Sequence, residues 1–116
     1  MPRYFLTALV TVLIIIAVLT PGSKLPGVDL IGFDKLVHFG MFATWAVAVR
    51  YDLPDRVFAF WLVLTAGLTF SILTEVLQIL AEGRTFDVYD MLADAIGLLA
   101  GLLVSKKIVS LMKNLK

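Results

Sequence analysis

The 116-residue sequence contains no cysteine. That absence removes disulfide frameworks, thiolate zinc sites and cysteine nucleophiles together. Charge is scarce as well, at 16% of residues, where a soluble domain carries about 25%. A formal net charge of +1 with one histidine gives no electrostatic reason to expect a nucleic-acid partner. Hydrocarbon fills the chain instead: 60% of residues are hydrophobic, 8 are Phe and 2 are Trp, and mean hydropathy is +0.97. So little polar material does not cover a water-facing surface. Four spans of about 20 residues would use roughly 80 positions, leaving loops and tails but no room for a soluble domain. The apolar runs are unbroken and do not alternate, which excludes a β-barrel. The composition predicts an all-α integral membrane four-helix bundle, one domain over residues 1–116.

The first apolar run, Tyr4 to Leu19, ends at Thr20-Pro21-Gly22. Its length suits a tight span or a signal-peptide core, but no small-x-small cleavage pattern follows, so it reads as a retained helix over about 4–20. Ser23 to Phe33 holds Pro26, Gly27 and Gly32 and reads as a loop. Its Leu25, Val28, Leu30, Ile31 and Phe33 are too apolar for free solvation, which places it on a membrane surface or folded over the bundle. A second helix over about 35–50 starts from Asp34 as N-cap. Asp52, with Asp55 three positions on and Pro54 in a first turn, reads as the capped start of a third helix over about 55–81. Glu82-Gly83-Arg84-Thr85-Phe86 connects it to a fourth over about 88–105. Residues 106–116, with Lys106, Lys107, Lys113 and Lys116, read as a basic amphipathic tail.

Four spans put both chain ends and the second loop on one side. That side holds Arg3, Arg50, Arg56 and the four tail lysines, seven basic residues, against Lys24, Lys35 and Arg84 on the other. The positive-inside rule then makes both termini cytoplasmic.

The charges near the spans cluster toward the opposite, outer side. Lys35, His38, Phe42 and Trp45 form one stripe on the second helix. Glu75, Gln78 and Glu82 form another on the third, and Asp87, Asp90, Asp94, Gly97 and Gly101 a third on the fourth. Glu75 and Asp94 each lie about seven residues inside the loop, roughly 10 Å deep at the helical rise. An ionisable group at mid-span costs about 2.5–3.5 kcal/mol on insertion scales, and somewhat less nearer the interface. The three stripes are therefore expected to converge on one polar cavity open to the outside.

Each residue also has a plainer reading. Asp87 and Asp90 suit a helix N-cap with an acidic third position, although Asp94 lies a full turn further in. Arg84 either pairs with Glu82 or Asp87 at the rim or binds a phosphate or carboxylate bidentately. Lys35 can snorkel to the interface. A lone His38 is more often a hydrogen-bonding residue than a metal ligand. Gly97-x-x-x-Gly101 reads as close packing inside the bundle. Phe42, Trp45 and Trp61 read as bundle or interface residues.

These segments carry a resemblance. Asp34-Lys35-Leu36-Val37-His38-Phe39, with Phe42 following, resembles the D-K-x-x-H-F opening of a membrane helix in the VanZ-like family. Glu75-x-x-Gln78, Gly83-Arg84 and Asp90-x-x-x-Asp94-x-x-Gly97-x-x-x-Gly101 resemble that family's E-x-x-Q, R and D-x-x-x-N-x-x-G pattern. With hydropathy, the resemblance covers nearly the whole chain. Asp94 stands where the family typically has Asn, so an additional buried carboxylate must be protonated, paired or cation-bound. The resemblance implies a multi-pass protein of the bacterial cytoplasmic membrane. The family's name-giving member confers low-level resistance to the glycopeptide teicoplanin, which supplies a cell-envelope context and no reaction.

The leading functional expectation is a binding module without a cofactor. An amphiphile, either a lipid-linked cell-wall intermediate or the lipidated tail of a glycopeptide antibiotic, would place its acyl part among the helices. Its polar head would meet Arg84, His38 and Gln78, with Glu75, Asp90 and Asp94 orienting Arg84, His38 and Lys35. A competing expectation is an intramembrane enzyme in which Glu75 with Asp90 or Asp94 forms an acid/base pair. His38 would then act as a base or join the carboxylates around a divalent cation, although no metal site is expected. Ser71 and Thr74 read as ordinary helix-packing residues, with no serine-nucleophile motif around them. Ion passage ranks lower, because Thr11, Thr65 and Thr69 are too sparse to continue a polar path. A polar network that only holds the helices together is the remaining alternative.

Overall fold

The computed structural model describes residues 4–19, 31–54, 59–82 and 88–115, and in these α2 is placed from 31 and α3 to 82 by backbone alone at their outermost positions. The described residues form four helices and no strand: α1 (Phe5–Leu19), α2 (Ile31–Asp52), α3 (Phe60–Glu82) and α4 (Val88–Asn114). The all-α architecture and the order of four helices match the sequence expectation; several boundaries do not.

α2 begins at Ile31, so Asp34 lies inside the helix and is not its N-cap. A capping residue competes poorly where the residues before it, here Ile31 and Phe33, are themselves apolar and can extend the helix. Asp52 does not open α3; it is the last residue of α2, and α3 starts only at Phe60. Pro54, with no N–H to offer, follows the end of α2, while Asp55 and Arg56 lie outside the described residues. The Asp52 carboxylate serves another helix: its Oδ2 accepts the Thr7 N–H at 2.7 Å. Thr7 is the third residue of α1, and its N–H is one of the four that a helix start leaves without an internal partner. A local sequence pattern identified Asp52 as a cap, but the helix it caps lies 45 positions away. Tyr4, just before α1, has φ of 65°, a left-handed turn into the helix.

The basic stretch expected as a tail is helical through Asn114, so α4 has 27 residues and a length of about 40 Å. Lys116 lies outside the described residues, as do residues 20–30 of the expected loop. Two helices, α3 over Phe60–Leu80 and α4, are long and apolar enough to cross a bilayer. α1, with 15 residues, is about 22 Å long, below the roughly 30 Å of a hydrocarbon core. α2 has 22 residues but carries Asp34 and Lys35 near one end and Arg50 and Asp52 at the other.

α2 and α4 form the most extensive contact in the bundle. Glycine makes it possible. A Cβ on Gly97 would stand 2.3 Å from the Phe39 carbonyl oxygen, and one on Gly101 would stand 2.5 Å from that of Ala43. Both pairs are four residues apart on their own helices, so α2 and α4 run parallel with their backbones touching. Gly97-x-x-x-Gly101 thus packs within the chain, as its continuity with the Asp90/Asp94 stripe suggests. Below it, Phe42, Trp45, Ala46 and Val49 of α2 pack with Leu98 and Leu102 of α4, Ile14 and Val18 of α1, and Val63 of α3. The Phe70 ring lies 5.5 Å from Phe42 and 5.8 Å from Trp45, centroid to centroid.

The distribution of polarity is inverted relative to a water-soluble bundle. Trp61 is 74% exposed, and Leu13, Ile16, Leu62, Leu80 and Leu103 also face outward. His38, Ser71, Glu75, Gln78, Asp90 and Asp94 are buried. Acidic side chains are almost never fully buried in soluble proteins unless paired.

Candidate functional site

The buried ionisable residues of the described chain, His38, Glu75, Asp90 and Asp94, gather toward one end of the bundle, where α2 and α4 begin and α3 ends. On α2, Lys35 and His38 are one turn apart on the face that meets α4. On α4, Asp90 and Asp94 are likewise one turn apart, and the close glycine packing below them sets the register between the two helices. α3 runs antiparallel and presents Ser71, Glu75 and Gln78 at the i, i+4, i+7 spacing of one face.

A continuous chain of polar contacts crosses the three helices. The Lys35 ammonium is ion-paired to Asp90 Oδ1. Asp90 Oδ2 faces His38 Nε2 at 3.9 Å. His38 Nδ1–H donates to Asp94 Oδ1 at 2.9 Å, which fixes the ring proton on Nδ1 toward that carboxylate. Ser71 Oγ–H donates to Asp94 Oδ2 at 2.6 Å. Both oxygens of Asp94 are therefore occupied, one by α2 and one by α3, and both of those contacts are buried. At the outer edge, the Lys35 side chain is 22% exposed while Asp90 is fully buried.

Glu75 and Gln78 are buried on the same face of α3. Gln78 Oε1 has no hydrogen-bond partner among the described residues, although only 6% of the residue is exposed. A buried amide oxygen without a donor costs about 1–3 kcal/mol, so it marks a place that a donor would fill.

Of the residues singled out from sequence, Lys35, His38, Asp90 and Asp94 meet directly, and Glu75 and Gln78 lie buried on the adjoining helix. Arg84 and Asp87 fall outside the described residues, and the Glu82 side chain is not among those described. Ser71 corrects its reading as an ordinary packing residue, because its hydroxyl anchors Asp94. Its signal was present in the sequence: Ser71 lies four positions before Glu75, on the same face as Gln78. Thr74 does behave as a helix-packing residue, with its hydroxyl bonded to the Ser71 carbonyl at 2.8 Å. Among the described residues, no three His, Asp or Glu groups are arranged to hold a metal ion.

A family model described as VanZ/LLP1 matches residues 3–111, nearly the whole chain. The chain belongs to the VanZ/LLP1 family. No curated protein and no solved structure matches it significantly. Within this VanZ/LLP1 chain, the carboxylate at Asp94, where the resemblance led to an expectation of Asn, has a structural account. Two donors, the His38 Nδ1–H and the Ser71 hydroxyl, converge on it, and a carboxylate supplies two acceptor oxygens where an amide supplies one.

The arrangement also limits the chemistry. Ser71 donates to the carboxylate and not to the imidazole, so the serine–histidine contact of a nucleophilic triad is not made. Toward the other end of the bundle the network meets the apolar layer of Phe42, Trp45, Leu98 and Leu102.

Proposed function

We propose that this VanZ/LLP1 protein is a multi-pass protein of the bacterial cytoplasmic membrane that binds the polar head of an envelope amphiphile at its charged end. The inverted polarity supports the membrane reading: apolar side chains face outward on every helix while carboxylates are buried. Family membership ties the chain to the cell envelope and to the context of antibiotic resistance. The excess of arginine and lysine at the end where α1 begins and α4 finishes orients that end, with both termini, to the cytoplasm. The charged network then faces outward, where lipid-linked cell-wall intermediates and lipidated glycopeptides are met.

One observation carries the binding role: the buried Oε1 of Gln78, which has no hydrogen-bond partner among the described residues. A network that served packing alone would gain from closing that gap, whereas a site for a ligand hydroxyl or amide keeps an acceptor waiting. In this reading Asp94 and Ser71 hold His38, Asp90 holds Lys35, and Arg84 at the α3–α4 connection meets an anionic head. The carboxylates orient cations and do not themselves contact an anion. The enzyme alternative has less support, because His38 is clamped between two carboxylates and lacks a serine to activate.

Binding of a polyprenyl phosphate to the purified chain in detergent micelles tests the proposal. Arg84→Ala and Gln78→Leu are each expected to weaken binding about tenfold or more, which is about 1.4 kcal/mol. Gln78→Leu is expected to leave the melting temperature unchanged or raised, since it replaces an unsatisfied buried amide with hydrocarbon. Undiminished binding in both variants, or no binding by the parent chain, overturns the head-group site.

A further inference from the structure

We propose that the seam between α2 and α4 is a groove for one hydrocarbon chain of an anionic membrane amphiphile, with Lys35 at the head-group end. The inference rests on the reading of the charged end as a head-group site and names where the rest of the ligand lies.

The groove is lined by Phe39, Ala43 and Val47 of α2 and by Gly101, Val104 and Ile108 of α4. Its volume is about 400 Å³, within the range of small-molecule sites. It exists because the helices meet through small residues. Gly101 and Ala43 bring the two backbones together and leave a shallow floor, while the larger Phe39, Val104 and Ile108 stand as walls. One turn before Thr44 on α2, a Cβ built on Gly40 meets nothing within 4 Å. Thr44 is the one hydroxyl in the lining, and it donates to the Gly40 carbonyl at 2.8 Å within its own helix. The surface offered to an occupant is thus hydrocarbon.

The groove has a direction. Lys35, Phe39, Ala43 and Val47 are spaced four apart, so Lys35 lies one turn above the groove on the same stripe of α2. From Phe39 to Val47 the stripe runs about 12 Å at the helical rise. The charged end therefore places the partly exposed Lys35 side chain, paired to Asp90, one turn along α2 from an apolar slot. An acyl chain under an anionic head has this order of chemistry. A helix from a second copy does not: at about 10 Å across it would run past Phe39 and cover the Lys35–Asp90 pair, which must then be desolvated further.

The test uses the full chain in nanodiscs doped with phosphatidylglycerol that carries a diazirine in one acyl chain, with the matching phosphatidylcholine as comparison. Illumination is expected to label peptides containing residues 39–47 and 100–108 above all other apolar faces, saturably, and several-fold more from phosphatidylglycerol. Thr44→Phe, an exposed position outside the polar network, is expected to fill the slot and abolish the preferential labelling without lowering the melting temperature. Labelling spread evenly over the outward leucines, and unchanged in Thr44→Phe, overturns the groove as ordinary lipid contact. Because the chain has no cysteine, Thr44→Cys provides the other arm: efficient disulfide dimers in the nanodisc overturn the proposal in favour of a second copy. Groove labelling that persists while Gln78→Leu and Arg84→Ala leave polyprenyl phosphate binding intact would sustain the slot and sink the head-group site alone. Loss of groove labelling with those two effects retained would do the reverse.

Discussion

The two ends of the bundle hold their helices together by different means. At the charged end, side chains from α2, α3 and α4 meet in one largely buried network of ionisable and hydroxyl groups. At the other end, α1 and α2 are joined by single contacts. Asp52 caps the first turn of α1, and Trp45 Nε1–H donates to Thr11 Oγ1 at 3.0 Å. Thr11 in turn donates to the Thr7 carbonyl at 2.7 Å. Lys113 lies 5.4 Å from the Tyr51 ring, tying α4 to the end of α2. The second end has what helix packing requires: a cap, a satisfied indole and a cation over an aromatic face. The first buries an imidazole and three carboxylates, and carboxylates are almost never fully buried unless paired. The contrast between the ends is what points to function at one of them.

The sharpest way to break that contrast is to remove one partner of the Lys35–Asp90 pair. Lys35→Met takes from the fully buried Asp90 the ammonium paired to its Oδ1, and about 3–5 kcal/mol of stability should be lost. Asp90→Asn should lose less, because the partly exposed Lys35 can turn its ammonium outward. Thermal unfolding in detergent reads the difference. Equal losses would show that the pair behaves as a surface contact and that the charged end is not built around a buried carboxylate.

An effect of similar size is expected one turn deeper. Asp94→Ala removes two buried acceptors, each bond to a charged group contributing about 1.5–3 kcal/mol, and leaves His38 and Ser71 as unsatisfied donors. Asp94→Asn should recover much of the loss, since the amide oxygen can take the His38 proton and the Ser71 hydroxyl can rotate to accept from the amide nitrogen. If Asn is as damaging as Ala, the charge of Asp94 matters more than its geometry. That result would separate a demand for charge at this position from a demand for two acceptors.

How much of this was legible in the sequence depends on the range of the interaction. Helical spacing placed Lys35 with His38 and Asp90 with Asp94, because a face is a property of one helix. The expense of charge in hydrocarbon then brought the faces together, and the Gly97/Gly101 pair fixed which helices touch. Ser71 was misread because a hydroxyl can satisfy itself on its own backbone, as Thr74, Thr65 and Thr69 do here. The place of Ser71 on the face of Glu75 and Gln78 marks it as polar-facing, but does not say that an aspartate 23 positions away will accept its hydroxyl proton. The boundary of α2 was misplaced because Asp34 has the chemistry of a cap, yet apolar neighbours carry the helix past it.

Asp52 is the most instructive of the misplaced residues, and it supplies the smallest effect. At the C-terminus of α2 its charge opposes that helix's macrodipole, so within α2 alone it is unfavourable. The compensation lies in α1, whose unpaired N–H groups and positive end it faces. Asp52→Ala should therefore cost about 1 kcal/mol, the ordinary value of a lost cap, and not the several expected at the charged end. Asp52→Asn, which keeps an acceptor and removes the charge, should fall between Ala and the parent. Hydrogen exchange should accelerate in the first turn of α1 in both variants, while amides around His38 and Asp94 stay protected. If exchange also rises at the charged end, the two ends are coupled through the apolar layer and the division between a packing end and a binding end does not hold.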